Sequence, residues 1–471
     1  MTAATGNSEF KNALQPHNNL ETVMALSMQE ADVSDVAHDI EKAAYDKVFW
    51  RSVPLFFFCY MVSYLDRVNI GFAKLQMLGD LHLTDNVYAI GASMLFWGYV
   101  LFEMPSNMVL HRVGARRWIA RIMVTWGFVS ILLMYVEPLG RFFHTGSTAM
   151  FYILRFLLGV CEAGFFPGVV LYLNSWFPSY RQNRVMAGFM VALPLSLCIG
   201  GPVSGWVIQN MHDVLGFRGW QWMLIVEGLP AIVLGVLVLL TLTDSIDHAR
   251  WLSADEKALL KRNISSENVD KTHDYRAALK SRGVWTLCGI LLTMLTGFYG
   301  LSFWLPSIIR AAGMTNAFHI GLVAAIPYLA ASVAMIANSI HSNRTGERRL
   351  HAAVPALLAG VALILSAAFA NQMVVSILLI SVAASGIIGV MPIFWTFPGR
   401  LLSGSAAAAG LALINSVGSL SGITGALITN VAKNITGDVN SGTYVLGACL
   451  LVCCGLILTI PRAMVASSRQ A

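Results

Sequence analysis

Apolar residues along this chain come in long blocks, not in alternation with polar ones. From residue 53 onward, stretches of about 20 largely apolar residues alternate with short polar loops. A helix needs about that length to cross roughly 30 Å of hydrocarbon. The first six blocks fall at 53–72, 88–110, 118–136, 150–174, 185–208 and 222–242. A charged interval follows, and then six more blocks at 284–309, 320–340, 352–370, 374–397, 406–431 and 444–460. The pattern predicts an all-α membrane protein with twelve transmembrane helices in two six-helix halves. It divides the chain into a tail at 1–49, a bundle at 50–243, a linker at 244–283, a second bundle at 284–463 and a short tail at 464–471. The first tail is polar and lacks the apolar core of a cleavable signal, so it is expected to be disordered.

Composition agrees with immersion in lipid. Of the 471 residues, 56% are hydrophobic and 12% charged, against about 25% charged in soluble domains. The seven cysteines are odd in number, sit in apolar stretches and show no paired spacing. They are expected as buried thiols, with no disulfide, metal or cofactor. The net charge of +6 would suit nucleic acid, but its placement gives another reason. With the N-terminus inside, 24 of the 31 Lys and Arg residues fall on the inner side. Lys74, Arg141, Arg218, Arg310 and Lys433 fall outside, and Arg67 and Arg155 lie within spans. Cytoplasmic loops hold the excess of Lys and Arg. Both termini and the linker are therefore expected in the cytoplasm of a bacterial cell, the spans in its inner membrane, and the chain as a monomer without nucleic acid.

An internal repeat supports two halves. Arg112-Val113-Gly114-Ala115-Arg116-Arg117 follows the second block, and Arg344-Thr345-Gly346-Glu347-Arg348-Arg349 follows the eighth. The same R-x-G-x-R-R spacing thus recurs at equivalent loops, as expected of duplicated bundles that hold a site between them. These loops resemble the signature of the major facilitator superfamily. More closely, the chain resembles its anion:cation symporter family. The matching segments are Tyr64-Leu65-Asp66-Arg67-Val68-Asn69-Ile70-Gly71-Phe72-Ala73, Phe102-Glu103-Met104-Pro105-Ser106-Asn107 and the run from Arg155 through Glu162 to Gly168. Trp220-Gln221-Trp222, Glu227-Gly228-Leu229-Pro230 and Ala412-Leu413-Ile414-Asn415-Ser416 also fit. The resemblance implies an alternating-access fold that takes up organic anions such as phthalate, tartrate, sugar acids or hydroxyphenylacetate. Asn343 stands where the family often has Asp, which weakens one loop contact.

Charge inside a bilayer carries an apparent penalty of about 2.5–3.5 kcal/mol per residue, so each case asks for a reason. Asp66, Arg67, Glu103, Arg155, Glu162 and Glu227 form the intramembrane set, all in the first half. Arg155 and Glu162 are two helical turns apart on one face, about 10.5 Å along the axis. Arg155 is expected to receive a substrate carboxylate and Glu162 to exchange a proton; the alternative is a structural charge pair with the first helix. Asp66 and Arg67 point about 100° apart. Asp66 is expected to face the cavity as a second proton carrier, with Arg67 pairing an acid on a neighbouring helix. Glu103 is expected to latch onto Arg116 and Arg117 as part of a gate that includes Gly114, Gly346 and Arg348. Glu227 is expected in a network with cytoplasmic or helix-end groups. Gly159, Gly164, Pro167 and Gly168 suit either a bent helix or close packing.

The resemblance places Asn415, Tyr99 and Trp395 at the substrate, with Tyr299 and Trp304 as further candidates. The expected function is proton symport of a small organic carboxylate into the cell. The alternatives are export or anion exchange on the same fold, and, from a different class, a membrane-embedded receptor or enzyme. No nucleophile constellation or metal-ligand spacing favours an enzyme.

Overall fold

The computed structural model of the chain describes residues 16–265, 279–398, 405–438 and 440–461. Twelve helices among them are long and apolar enough to cross a membrane. The first half comprises α1 (Ile40–Asp80), α2 (Asp85–Leu110), α3 (Ala115–Phe142), α4 (Gly146–Asn174), α5 (Gly188–Asn210) and α6 (Gly219–Thr241). The second comprises α7 (Arg282–Ala311), α8 (Ala317–Thr345), α9 (Arg349–Ala368), α10 (Met373–Phe394), α11 (Gly410–Thr436) and α12 (Ser441–Thr459). The expected C-terminal tail at 464–471 lies outside the described residues, as do 1–15.

The disordered tail expected over 1–49 is corrected from residue 16 onward. The helix containing α1 begins at Pro16 and runs unbroken to Asp80. Contacts from distant parts of the chain fasten its approach to the first span. Arg181 donates to Glu41 at 3.0 Å, and Lys47 pairs with Glu256 at 2.6 Å. Glu256 belongs to a short linker helix, Ala254–Ser265, and Trp251 just before it stacks on Trp176 at 5.7 Å. The described part of the linker thus docks on the first half.

The outward faces invert the rule for soluble proteins. On α8, Ile326, Leu329, Val333, Ile336 and Ile340 are all exposed, and they recur at three- and four-residue steps. That is one apolar stripe along a helix, and lipid is the solvent that suits it. Between the halves, close approach depends on small residues. Gly201 of α5 faces Gly321 of α8; a Cβ on Gly321 would lie 2.1 Å from the Gly201 carbonyl oxygen.

Polar contacts between the halves gather at the face opposite the basic loops. Asp85 of α2 pairs with Lys74 of α1 at 2.7 Å and also with Lys433 of α11. Asn430 donates to Asn86 at 2.7 Å, Tyr88 donates to the Phe303 carbonyl at 2.9 Å, and Arg310 donates to the Leu75 carbonyl. These contacts hold the halves together at this closed face, opposite the basic loops. Toward the basic face, Asn415 donates to Glu103 across the halves at 2.9 Å.

The fourth block, expected as one helix, is broken. One segment spans Gly146–Glu162 and the next Phe165–Asn174, with Gly164 between them at φ +87°. Only glycine takes that conformation freely. Ser106 of α2 donates to the carbonyl of Ala163 at 2.6 Å, occupying the space a Gly164 side chain would need. The break follows Glu162 directly.

Candidate functional site

A cavity of about 110 Å³ lies between the halves on the basic side. α1, α2, α4 and α5 wall it from the first half, and α7, α8, α10 and α11 from the second. Tyr60, Ser63, Tyr64 and Arg67 line it from α1, spaced as one helical face should be. Of these four, Arg67 lies nearest the closed face.

Arg67 connects the halves and carries the charge of the site. Its Nε donates to Glu162 Oε1 at 2.7 Å, and its Nη1 donates to the Tyr299 hydroxyl of α7 at 3.3 Å. The guanidinium lies 4.9 Å from the centre of the Tyr99 ring, within range of a cation–π contact. Ser63, one turn earlier, donates to the same Glu162 oxygen at 2.8 Å. Glu162 is buried, and its Oε2 has no hydrogen-bond partner. One carboxylate oxygen therefore holds two donors while the other is buried without a partner, and Glu162 meets the cavity through Arg67 and Ser63, which line it, and does not line it itself.

Arg67 thus pairs an acid on a neighbouring helix, as expected, but it is also the cation at the cavity. Arg155 is not, which corrects the expectation for that residue. It is 0% exposed and does not line the cavity. Its Nε donates to the Gly91 carbonyl at 3.3 Å, and its Nη2 has no partner. The reason is axial position. Arg155 lies two turns from Glu162 toward the closed face, where α4 packs under α2. It interacts electrostatically with both Asp66 and Glu162.

Asp66 also differs from expectation, since it faces away from the cavity. It accepts from Trp126 Nε1 at 2.7 Å, from Ser130 and from Asn69 at 3.3 Å, tying α1 to α3. Glu103 does not latch onto Arg116 and Arg117. It accepts from Asn415 Nδ2 at 2.9 Å, across the halves. Glu227 accepts from Ser204 at 2.5 Å inside the first bundle, instead of meeting cytoplasmic or helix-end groups.

The gate candidates sit in their loops. Gly114 and Gly346 have φ of +92° and +70°. Arg116 donates to the Leu242 carbonyl at 3.2 Å and pairs with Asp244 at 3.5 Å, while Arg349 donates to the Leu458 carbonyl. Each arginine thus caps the last helix of its own half, where the helix dipole favours a cation. Arg117 is exposed, and Arg348 is the N-cap residue of α9. Glu347 accepts from the backbone N–H groups of Leu350 and His351. Burial opposes its charge, but these bonds and the His351 ring win and hold its carboxyl below the usual carboxylate range.

Tyr99, Trp395, Asn415 and Tyr299 all line the cavity. Trp304 does not; it is buried against Lys74, whose ammonium lies 3.7 Å from its ring centre. Ser63, Tyr60 and Tyr64 were not among the expected residues. Their spacing with Arg67 at 60, 63/64 and 67 was the signal that could have found them.

Two repeated six-helix halves enclosing a cavity and a buried ion pair between them define a secondary transporter. A Pseudomonas putida protein that carries the name metabolite transport protein NicT is 43% identical, over 92% of this chain and 97% of its own. A protein of Agrobacterium vitis named for tartrate transport is 42% identical, over 91% and 93%. The D-xylose–proton symporter structure matches 88% of this chain and 98% of its own with a TM-score of 0.70 and 13% identity, a likeness of fold alone. The sequence profile of the Major Facilitator Superfamily matches residues 56–426, and the chain belongs to that family.

Proposed function

We propose that this transporter imports a small organic carboxylate together with a proton across the inner membrane of a bacterium, with the basic face in the cytoplasm. The observation that carries the reading is the Arg67–Glu162 pair, with Arg67 lining the cavity at its end nearest the closed face. A buried guanidinium without a counter-ion is costly, and so is a buried carboxylate. The pair balances the charge of each group with the other. Adding a carboxylate alone would leave the cluster negative, and adding a proton alone would leave it positive. Adding both restores neutrality, with the proton on Glu162 and the substrate carboxylate against Arg67. Neutral clusters suit the passage between open states, so substrate and proton move together.

Arg67 takes the carboxylate role first expected of Arg155 because it lines the cavity and its planar fork matches a carboxylate. Asp66, held by Trp126 and Ser130 on α3 and away from the cavity, has no proton role in this reading. The named relatives add support, one being named for tartrate transport. Orientation rests on the excess of Lys and Arg in the loops of the basic face.

The test is uptake of radiolabelled benzoate, tartrate and gluconate into proteoliposomes under an imposed pH gradient. Wild-type protein should accumulate at least one of them when the outside is acidic. Arg67→Ala should abolish both binding and uptake of that acid. Retained binding in Arg67→Ala would remove the assignment, and proton-driven efflux in place of uptake would reverse the direction.

A further inference from the structure

Resting on the import reading above, which makes the closed face the outer one, we propose that Lys433 and Arg310 form an anion-capture site at the outer entrance. An incoming carboxylate takes the place of Asp85 and the Leu75 carbonyl as their partners, and that exchange opens the closed face.

The charges of this face are shared unevenly across the seam between the halves. Arg141 and Arg218 pair with Glu137 and Asp213 within the first half. Lys433 on α11 pairs instead with Asp85 on α2, and Arg310 on α7 donates to the Leu75 carbonyl on α1. Both cations belong to the second half and both partners to the first, so parting the halves strips the two cations together.

The first half loses little by that. Asp85 keeps Lys74 at 2.7 Å, which rests on the Tyr88 ring of the same half. Asp80 keeps Trp220, and the Leu75 carbonyl lies inside a continuous helix that supplies its own N–H partner. The second half has no acid to take over. Its acidic residue on this side among the described residues, Asp438, already accepts from the Asn440 backbone and side chain at 2.9 and 3.1 Å.

An anion from outside therefore fits the stripped pair. For Lys433 it replaces one carboxylate by another, a near-even exchange. For Arg310 it replaces a neutral carbonyl by a charged acceptor, which makes the stronger bond. The open face is favoured with an anion bound and the closed face without one. The position suits entry, because α7 and α11 also wall the cavity through Tyr299 and Ser419. Arg310 and Lys433 stand about 16 and 21 Å beyond those residues along their helices.

The experiment is amide hydrogen exchange of the purified full-length protein with and without sodium tartrate. Sodium chloride holds the ionic strength constant, so that general screening of ion pairs does not change. In the wild type, tartrate should raise exchange about 2- to 5-fold around residues 81–88 and 430–437. Lys433→Gln and Arg310→Gln should each lose at least half of that rise, and the double variant all of it. Arg310→Lys, which keeps the charge, should keep most of it. Arg67→Ala, which removes the cation of the cavity, should show the rise in full. Unchanged exchange in the linker helix Ala254–Ser265 reports that each variant is folded. A rise that survives in the double variant would overturn the proposal, as would a rise lost in Arg67→Ala or absent from the wild type. Retained carboxylate binding by Arg67→Ala would remove the cavity assignment without touching this one.

Discussion

At the scale of single residues, the site turns on which of two buried arginines reaches the cavity. Arg67 does, with Glu162, Tyr299 and Tyr99 around it; Arg155 lies sealed beneath Gly91. Replacing Arg67 by Lys keeps the charge but not the planar fork, so carboxylate binding should weaken about 10- to 100-fold, measured by calorimetry. An unchanged affinity would mean that the carboxylate binds elsewhere. The candidate ionisable residues could be named from sequence because charge within an apolar block is conspicuous. Their roles could not all be assigned. Arg155 and Glu162 share a face of one helix, but which of them meets a cavity depends on how deep the cavity runs between other helices. No spacing within a single helix contains that depth. Glu103 shows the same limit: its nearest basic cluster in sequence is Arg116–Arg117, yet its partner is Asn415, brought in by packing of the other half.

At the scale of helices, the twelve spans were legible because lipid demands long apolar runs and internally satisfied backbones. The tail was misjudged because its polar composition hides tertiary contacts. Lys47 and Glu41 are ordinary surface residues until Glu256 and Arg181 arrive beside them. Helix breaks were partly legible, since Gly164 and Pro167 announce a weak point in α4, though not whether the chain breaks or merely packs there. The break is the outcome, and it sets Phe165 and Phe166 against the cavity just beyond Glu162. Gly164→Ala should destabilise the protein by about 1–2 kcal/mol from the left-handed backbone alone. The crowding against Ser106 adds to that. Thermal unfolding of the purified protein checks it, and a melting temperature equal to wild type would show that the backbone can relax.

At the scale of the whole molecule, duplication was visible in the repeated R-x-G-x-R-R loops, but the state of closure was not. Closure depends on contacts between residues hundreds of positions apart, such as Asp85 with Lys433 and Gly201 with Gly321. Asp85 stands between two lysines and joins the halves at the closed face. Asp85→Asn should loosen that face, raising amide hydrogen exchange about 2- to 5-fold around residues 81–88 and 430–437. Exchange in the linker helix Ala254–Ser265 should stay the same. Equal exchange at the closed face would show that apolar packing, not this ion triad, keeps it shut.

In the proposed mechanism, coupling rests on Glu162, whose Oε2 has no partner. The direct measurement is paired uptake in proteoliposomes: accumulation of a radiolabelled carboxylate down an imposed pH gradient, and exchange of the same acid without a gradient. Glu162→Gln should keep exchange while losing accumulation above the equilibrium level, because the site can then stay permanently neutral with substrate bound. Full gradient-driven accumulation by Glu162→Gln would contradict the account.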